Sequence, residues 1–576
     1  MKLDFTFTGK IEPQYTILFN KIAFDIQMSF SESIDSISKQ HANSIDWWVS
    51  SPASRNTFTS FFFYYCCCIA LLQELISRNE QLTEIITDSK AFQKILMCYL
   101  AKQRMNIKVT LVRISIKGRL IKIARPIWVA IGIPVRQLLL FLAARYTHSL
   151  RKIPPSKPLT LIDTFTMRDY IEKDRYYPGM VEQLPEEDKQ LVWFVPHIHD
   201  FRPWEYLSVI KRLRKAERNF LLKEDYLKFV DYWCLWGHIF RIHNLRIKSS
   251  FFRGIDISHL VLEELKRFRN IGCSYAPLLN YRFSERLKKA GIKLKLVVDW
   301  FENQDIDKGW NAGFRRFFPY TEVIGYQGFM VSSHYLCKYP TVAERDSNVI
   351  PHKVAVIGQG IVQSAKKFCA DLNVCIAPAF RFQHVWLKRK YFPDEARYTI
   401  LAALPIMIND AFNILMSLAA AVDGIADDIH VWIKPHPTAS QSQIKTSFGS
   451  KWPAQFEFVD VNFSECVEKA NLLVSSASSV CTEALAKGIP VLVVGNNFGL
   501  TQNPIPETIT SDIWRMCYSA EEIKRAIHFY KNRSTKKIEE HEEVGRLIKA
   551  KYFEPVTKES ITRFLNLKEK YVEREL

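Results

Sequence analysis

No acidic residue occurs between Asp88 and Asp163, a gap that holds 15 Lys and Arg over residues 90–157. The chain's net charge of +19 is therefore concentrated in one early segment. A block of one sign faces something anionic, a membrane surface or a nucleic acid. No Cys-x-x-Cys pair occurs among the 12 cysteines, and Cys66-Cys67-Cys68 are consecutive. That pattern excludes a finger-type zinc site and a disulfide framework and points to a reducing, cytoplasmic setting. No uninterrupted apolar run reaches the roughly 20 residues that span a bilayer. Residues 61–72 stop at Gln73-Glu74, and residues 127–144 are broken by Pro134 and Arg136. Residues 1–10 lack a charged region followed by an apolar core, so a secretory signal is not expected. No internal repeat or low-complexity tract is visible. What is present is 576 residues with 48% hydrophobic content, enough for more than one packed domain.

Residues 121–145 mix bulky aliphatics with Lys122, Arg125, Arg136 and Arg145, the composition of a basic amphipathic surface for anionic lipid. An ordinary solvated helical face has the same pattern. Few aromatics are spaced for base stacking there, so nucleic acid is not the expected partner. The chain reads as a mostly helical, basic N-terminal region (1–152), then two blocks of alternating strand and helix (153–348 and 349–535), then a charged helical tail (536–576). Strands are expected at 191–195, 219–222, 293–298, 353–357, 374–377, 398–404, 429–433, 456–459, 471–474 and 489–494. This alternation predicts an α/β protein with two doubly wound, Rossmann-like domains facing a cleft.

Lys434-Pro435-His436-Pro437 follows the 429–433 strand, and Ser475-Ser476-Ala477-Ser478-Ser479 follows the 471–474 strand. Ligands of open α/β sheets bind outside the carboxyl ends of strands, where hydroxyls, free N–H groups and a His suit a phosphate. The plainer alternative is a cap, with Ser478 or Ser479 opening the helix through Glu483.

With Glu483-Ala484-Leu485-Ala486-Lys487-Gly488-Ile489-Pro490 downstream, these motifs resemble those of GT-B glycosyltransferases that build bacterial surface carbohydrate, the sialyltransferase-like and Kdo-transferase-like members in particular. The resemblance covers about residues 160–530 and leaves the first 150 outside. It implies that His436-Pro437 and Ser475, Ser476, Ser478 and Ser479 hold the nucleotide phosphate, and that Glu483 meets the donor's ribose or sugar. Ala377-Pro378-Ala379-Phe380-Arg381-Phe382 looks like a Pro-x-x-Arg feature of the same group, so Arg381 and Lys434 join as added positive charge. The implied reaction is inverting, metal-independent transfer from a nucleotide sugar, a CMP-activated ulosonic acid such as Kdo or a sialic acid. The implied acceptor is a cell-surface polysaccharide or a lipid-linked glycan, as in lipopolysaccharide or capsule synthesis, at the inner face of the cytoplasmic membrane. A teichoic-acid-type CDP-polyol phosphotransferase, a sugar-nucleotide epimerase and a non-catalytic nucleotide- or nucleic-acid-binding protein are the alternatives.

Inverting transfer needs a base for the acceptor hydroxyl. Glu302 is the first candidate and Asp299 the second, both expected to point at the cleft after the 293–298 strand. An N-cap or an ion pair with Lys308 or Arg315 is the structural alternative. His197-Ile198-His199-Asp200 ends another strand. His199 and Asp200 are assigned to the acceptor pocket or the base role, ahead of metal binding. Asp305-Ile306-Asp307 has the spacing of a divalent-ion motif, but a solvated loop is preferred and no metal is expected. Gly358-Gln359-Gly360 reads as a tight turn.

Overall fold

The computed structural model describes the chain except residues 7–8, 10, 113–123, 389, 392, 394–396, 425–427, 450–451, 498 and 568–576. A small parallel sheet orders β1 (Lys2–Asp4), β2 (Glu84–Thr87) and β3 (Lys108–Leu111). The first large sheet starts with β4 (Leu159–Thr166) and β5 (Val192–Ile198). A short hairpin, β6 (Phe251–Phe252) and β7 (Ile255–Asp256), stands apart. The sheet continues with β8 (Leu294–Trp300), β9 (Glu322–Gln327), β10 (Lys353–Val356) and β11 (Val374–Ile376), in the order β11-β10-β9-β8-β4-β5. A parallel bridge from Phe194 to Phe220 is what remains of the strand expected at 219–222. The second large sheet holds β12 (Tyr398–Ala403), β13 (Ile429–Lys434), β14 (Phe456–Phe458), β15 (Leu472–Ser475), β16 (Val491–Val494) and β17 (Trp514–Cys517). Its order is β14-β13-β12-β15-β16-β17. All pairs in both large sheets are parallel. In each, the first strand lies inside and the order reverses beside it, which opens a crevice at the strands' carboxyl ends. The expected α/β arrangement of two doubly wound domains is thus the observed one.

The boundary placed at residue 349 is corrected. β10 pairs with β9, Val354 opposite Gly325, so the first sheet extends to Ile376. Strand and helix alternate without a break across 349, and periodicity does not reveal which sheet a strand joins. The sheets change over in the segment 377–397, which carries the 3-10 turn Phe380–Val385.

The first 152 residues are not a separate helical region. They contribute the small sheet, whose strands of three or four residues are too short to show alternation. They also share one core with the first large sheet: Phe19, Trp47 and Leu71 belong to the same apolar cluster as Trp193, Val297 and Trp310. Arg55 is buried against Glu344, Nη2 to Oε1 at 3.0 Å, and Lys308 Nζ meets that same oxygen at 2.8 Å. The apolar run with Cys66-Cys67-Cys68 is a core helix, Phe62–Ser77, and burial pushes the three thiols up.

The tail forms the helix Thr535–Tyr552 and then returns to the first sheet. Glu554 N–H donates to Ile357 O (2.7 Å), Ala379 N–H donates to Glu554 O (2.9 Å), and Phe564 packs on Tyr326. Gly358 and Gly360 make room for this crossing. A Cβ at Gly358 would stand 2.4 Å from the Tyr552 backbone, and one at Gly360 2.6 Å from its ring. That pair serves a chain crossing as well as a turn.

Candidate functional site

His436 lies just beyond β13, half-buried. Thr438 N–H donates to its Nδ1 at 3.2 Å, and the Thr438 hydroxyl is 2.8 Å from the same nitrogen. An Nδ1 that accepts a backbone N–H carries no proton, so the neutral ring holds its proton on Nε2. Burial, then the positive charge of Arg175, holds the imidazole below its usual range. At neutral pH His436 is therefore an uncharged donor. Arg175 comes from the first domain, in the connection between β4 and β5, so its charge acts on a residue of the second domain.

Tyr176 gathers the opposite wall. Its ring meets Trp300 edge-on at 4.5 Å, and burial pushes its hydroxyl up to about 12 although Arg175 and Arg381 pull it down. Arg381 stacks over the Trp300 ring at 5.7 Å. Trp300 Nε1–H donates to Glu302 Oε1 (3.0 Å). Glu302 Oε2 accepts from Gln304 Nε2 (2.6 Å) and the Tyr335 hydroxyl (3.0 Å). Glu302 is thus oriented by three donors on a loop, half-buried. Gln304 is itself held by Asn56, so the N-terminal segment buttresses this wall.

The serine motif divides. Ser475 is buried and donates to Ala403 O on β12 (2.6 Å), tying two strands together. Ser476 is buried and Ser478 half-buried. Ser479 stands at the N-cap of the helix Val480–Leu485, but its hydroxyl donates to Glu483 Oε1 (2.8 Å). Glu483 also meets His384 Nε2 at 2.9 Å, which joins the second domain to the segment between the sheets. Lys434 ends β13, where its charge acts on the Cys466 thiol, and Pro437 is exposed. The structure brings together Tyr176, Trp300, Glu302 and Arg381, with Arg175 beside Tyr176 in the chain and its charge felt at His436 of the second domain. Ser475 and Lys434 stay with the sheet.

Asp299 does not point at the cleft, against expectation. Strand residues alternate faces, so Val298 and Trp300 face one core and Asp299 faces the other. There it accepts from Asn311 Nδ2 (2.6 Å) and adjoins Asp163 of β4. Burial lifts the Asp163 carboxyl to about 8, and Asp299 well above its usual range, so the pair holds a proton at neutral pH. His197 Nε2 is 2.5 Å from Asp163 Oδ1, out of line for a hydrogen bond, and burial keeps this ring well below its usual range. His199 and Asp200 sit exposed at the end of β5. The His199 ring lies 5.3 Å from Phe165, which in turn packs on Tyr176. The Asp305-Ile306-Asp307 motif is the first turn of the helix Asp305–Phe317, not a solvated loop. Asp307 Oδ2 accepts Gln304 N–H (2.8 Å), a cap that explains the spacing.

Sequence reasoning missed Arg175, Tyr176, Tyr335 and Asp163. The last had a signal, an acid inside the apolar run Leu159–Thr166. Arg175 lies in an irregular charged stretch that has none.

No protein-family profile matches the chain, and no curated protein sequence matches it. Solved structures similar to it include α,α-trehalose 6-phosphate synthase of Burkholderia multivorans (8% identity, 71% of this chain and 97% of that one, TM-score 0.43). The calicheamicin glycosyltransferase gives 12% identity over 71% and 97% of the two chains, TM-score 0.39. Anabaena HepE in complex with UDP-glucose gives 8% over 71% and 98%, TM-score 0.39. The two-domain fold rests on the strand orders above, not on these likenesses.

Proposed function

We propose that this protein is an inverting, metal-independent glycosyltransferase that uses a nucleotide sugar. The reading rests on two groups at strand ends: His436 past β13, whose Nδ1 accepts the Thr438 N–H and leaves Nε2–H as a donor, and Glu302 past β8, a carboxylate oriented by three donors. In the reaction, the acceptor oxygen bonds to the anomeric carbon while Glu302 takes its proton. The bond from that carbon to the phosphate oxygen breaks, and the phosphate leaves with the electron pair. His436 Nε2–H, Arg175 and Arg381 meet the charge that develops there, as positioned donors in a partly dry cleft do. Asp163 and Asp299, protonated and turned away, serve the scaffold. The donor we favour is a CMP-activated ulosonic acid, on the His-Pro and serine motifs, and the acceptor a surface or lipid-linked glycan.

The test is thermal stabilisation by CMP, CDP, UDP and GDP, wild type beside His436→Ala, with turnover of Glu302→Gln measured on the donor so found. CMP stabilisation that His436→Ala abolishes supports the reading and its donor. Preference for UDP or GDP removes the ulosonic acid. Preference for CDP with release of CMP from a CDP-alcohol favours the phosphotransferase. Glu302→Gln that binds donor normally but turns over about 100-fold or more slowly identifies the base. No response to any nucleotide defeats the proposal.

A further inference from the structure

The helix Ala124–Tyr146 is long and apolar enough to cross a membrane, with a mean hydropathy of 1.9. Its packing sets it on the protein's surface instead. One face is held by the first domain: Val129, Leu140 and Ala144 are buried, and Arg136 donates to the Tyr206 hydroxyl (3.2 Å) and to Phe201 O (3.3 Å). Arg214 Nη2 donates to Ala144 O (2.9 Å) at the helix's far end. The other face is bare. Trp128, Ile131, Val135, Leu139 and Leu142 recur at three- and four-residue spacing, and all are at least 40% exposed.

A second helix, Phe229–His243, widens this face. Phe229, Trp233 and Phe240 are 57%, 65% and 71% exposed. Trp236 fixes the two helices together, its Nε1–H donating to Ala130 O (2.8 Å), and Trp233 packs edge-on against it at 5.1 Å. This second stripe has no local signature, because its helix also carries buried residues on the opposite side. Contiguous apolar surface on this scale marks an interaction site.

Charge decides the partner. The helix Ala124–Tyr146 carries no acid, and Arg125, Arg145, Lys228, Arg246 and Lys248 stand exposed at the ends of the two helices. Asp231, the acid within the second helix, is buried and shared by Arg282 and Arg286. An apolar face with aromatic residues and a rim of one positive sign complements the headgroup region of an anionic bilayer. We propose that these two helices form a single docking face that lies in the surface of an anionic membrane without spanning it. Lys122 and the other basic residues of 113–123 lie outside the described residues, and the proposal does not use them.

Docking also orients the molecule. Arg136 holds Phe201 O, one residue after Asp200, so the face adjoins the rim of β5 beside the cleft. A substrate carried in the bilayer would reach the cleft from that side. The docking itself stands apart from the transferase reading and is tested without turnover.

The experiment is co-sedimentation of the full chain with vesicles of phosphatidylcholine alone, and of phosphatidylcholine with phosphatidylglycerol, at low and high salt. Wild type is compared with Trp128→Ser/Trp233→Ser and with Arg125→Glu/Lys228→Glu. All four positions are exposed, and unchanged urea midpoints confirm the fold. Binding to the anionic vesicles, weakened by salt and lowered about tenfold by either double variant, is the expected result. Absence of vesicle binding overturns the proposal, as does binding that both variants retain. A dimer in solution that Trp128→Ser/Trp233→Ser dissociates, without vesicle binding by wild type, would assign the face to a second copy of the chain.

Discussion

Glu344→Gln isolates the buried junction between the N-terminal segment and the first sheet. The Glu344 carboxylate serves two cations whose side chains are 1% and 0% exposed: Arg55 at 3.0 Å and Lys308 at 2.8 Å. Asn303 Nδ2 and the Thr341 N–H also donate to Oε2, at 3.0 and 2.8 Å. Burial alone would push this carboxyl up, but Arg55 and Lys308 outweigh it and hold it below the usual 4.5. Glutamine keeps the shape and can still accept a hydrogen bond, but it leaves two buried cations without a counter-charge. Breaking a buried pair in this way costs about 3–5 kcal/mol, a large part of the ~5–15 kcal/mol that folds a domain. Urea unfolding of both proteins, followed by circular dichroism, measures the loss. A carboxyl held low in the folded state contributes fully above pH of about 4.5, and the contribution fades as pH falls through the lowered folded value. The gap between wild type and Glu344→Gln should therefore be full at neutral pH and shrink in acid. Adding Lys308→Met should recover part of it, because one orphaned cation is removed. A neutral-pH loss under about 1 kcal/mol, or a gap indifferent to acid, would refute this account.

Asp163 has the opposite sign. Its carboxyl titrates at about 8 when folded against 3.8 unfolded, so stability is full below about pH 3.8 and declines as pH rises towards 8. Asp163→Asn should gain on wild type in urea midpoint from acid to mildly alkaline pH, and a constant difference would argue against the protonated pair. Gly358→Ala puts a Cβ 2.4 Å from the Tyr552 backbone, which must move. It should cost about 1–3 kcal/mol and speed proteolytic removal of the segment after Tyr552; an unchanged cleavage rate would mean the crossing is not tight there. Ser475→Ala should lower the melting temperature through loss of the bond to Ala403 O while leaving nucleotide stabilisation in place. Loss of nucleotide binding would return Ser475 to the phosphate site.

The sequence by itself determined the elements with strong periodicity and the motifs at their ends. The helix at 408–422 and the strands around His436 and the serines fall where alternation and turn residues place them, because these signals are local. It also determined that one segment is basic and free of acid. Which sheet a strand joins was decided only by tertiary structure: β10 and β11 look no different from β12, yet they pair in the first sheet. The side a carboxylate faces was decided there too. Asp299 and Glu302 lie three residues apart, but the pleat turns one into the core and the loop brings the other beside Tyr335. The charge of Arg175 acts on His436 from the other domain, and Trp236 joins two helices about a hundred residues apart in the chain. Such meetings depend on chain reversals that summed burial selects, and no local pattern encodes them.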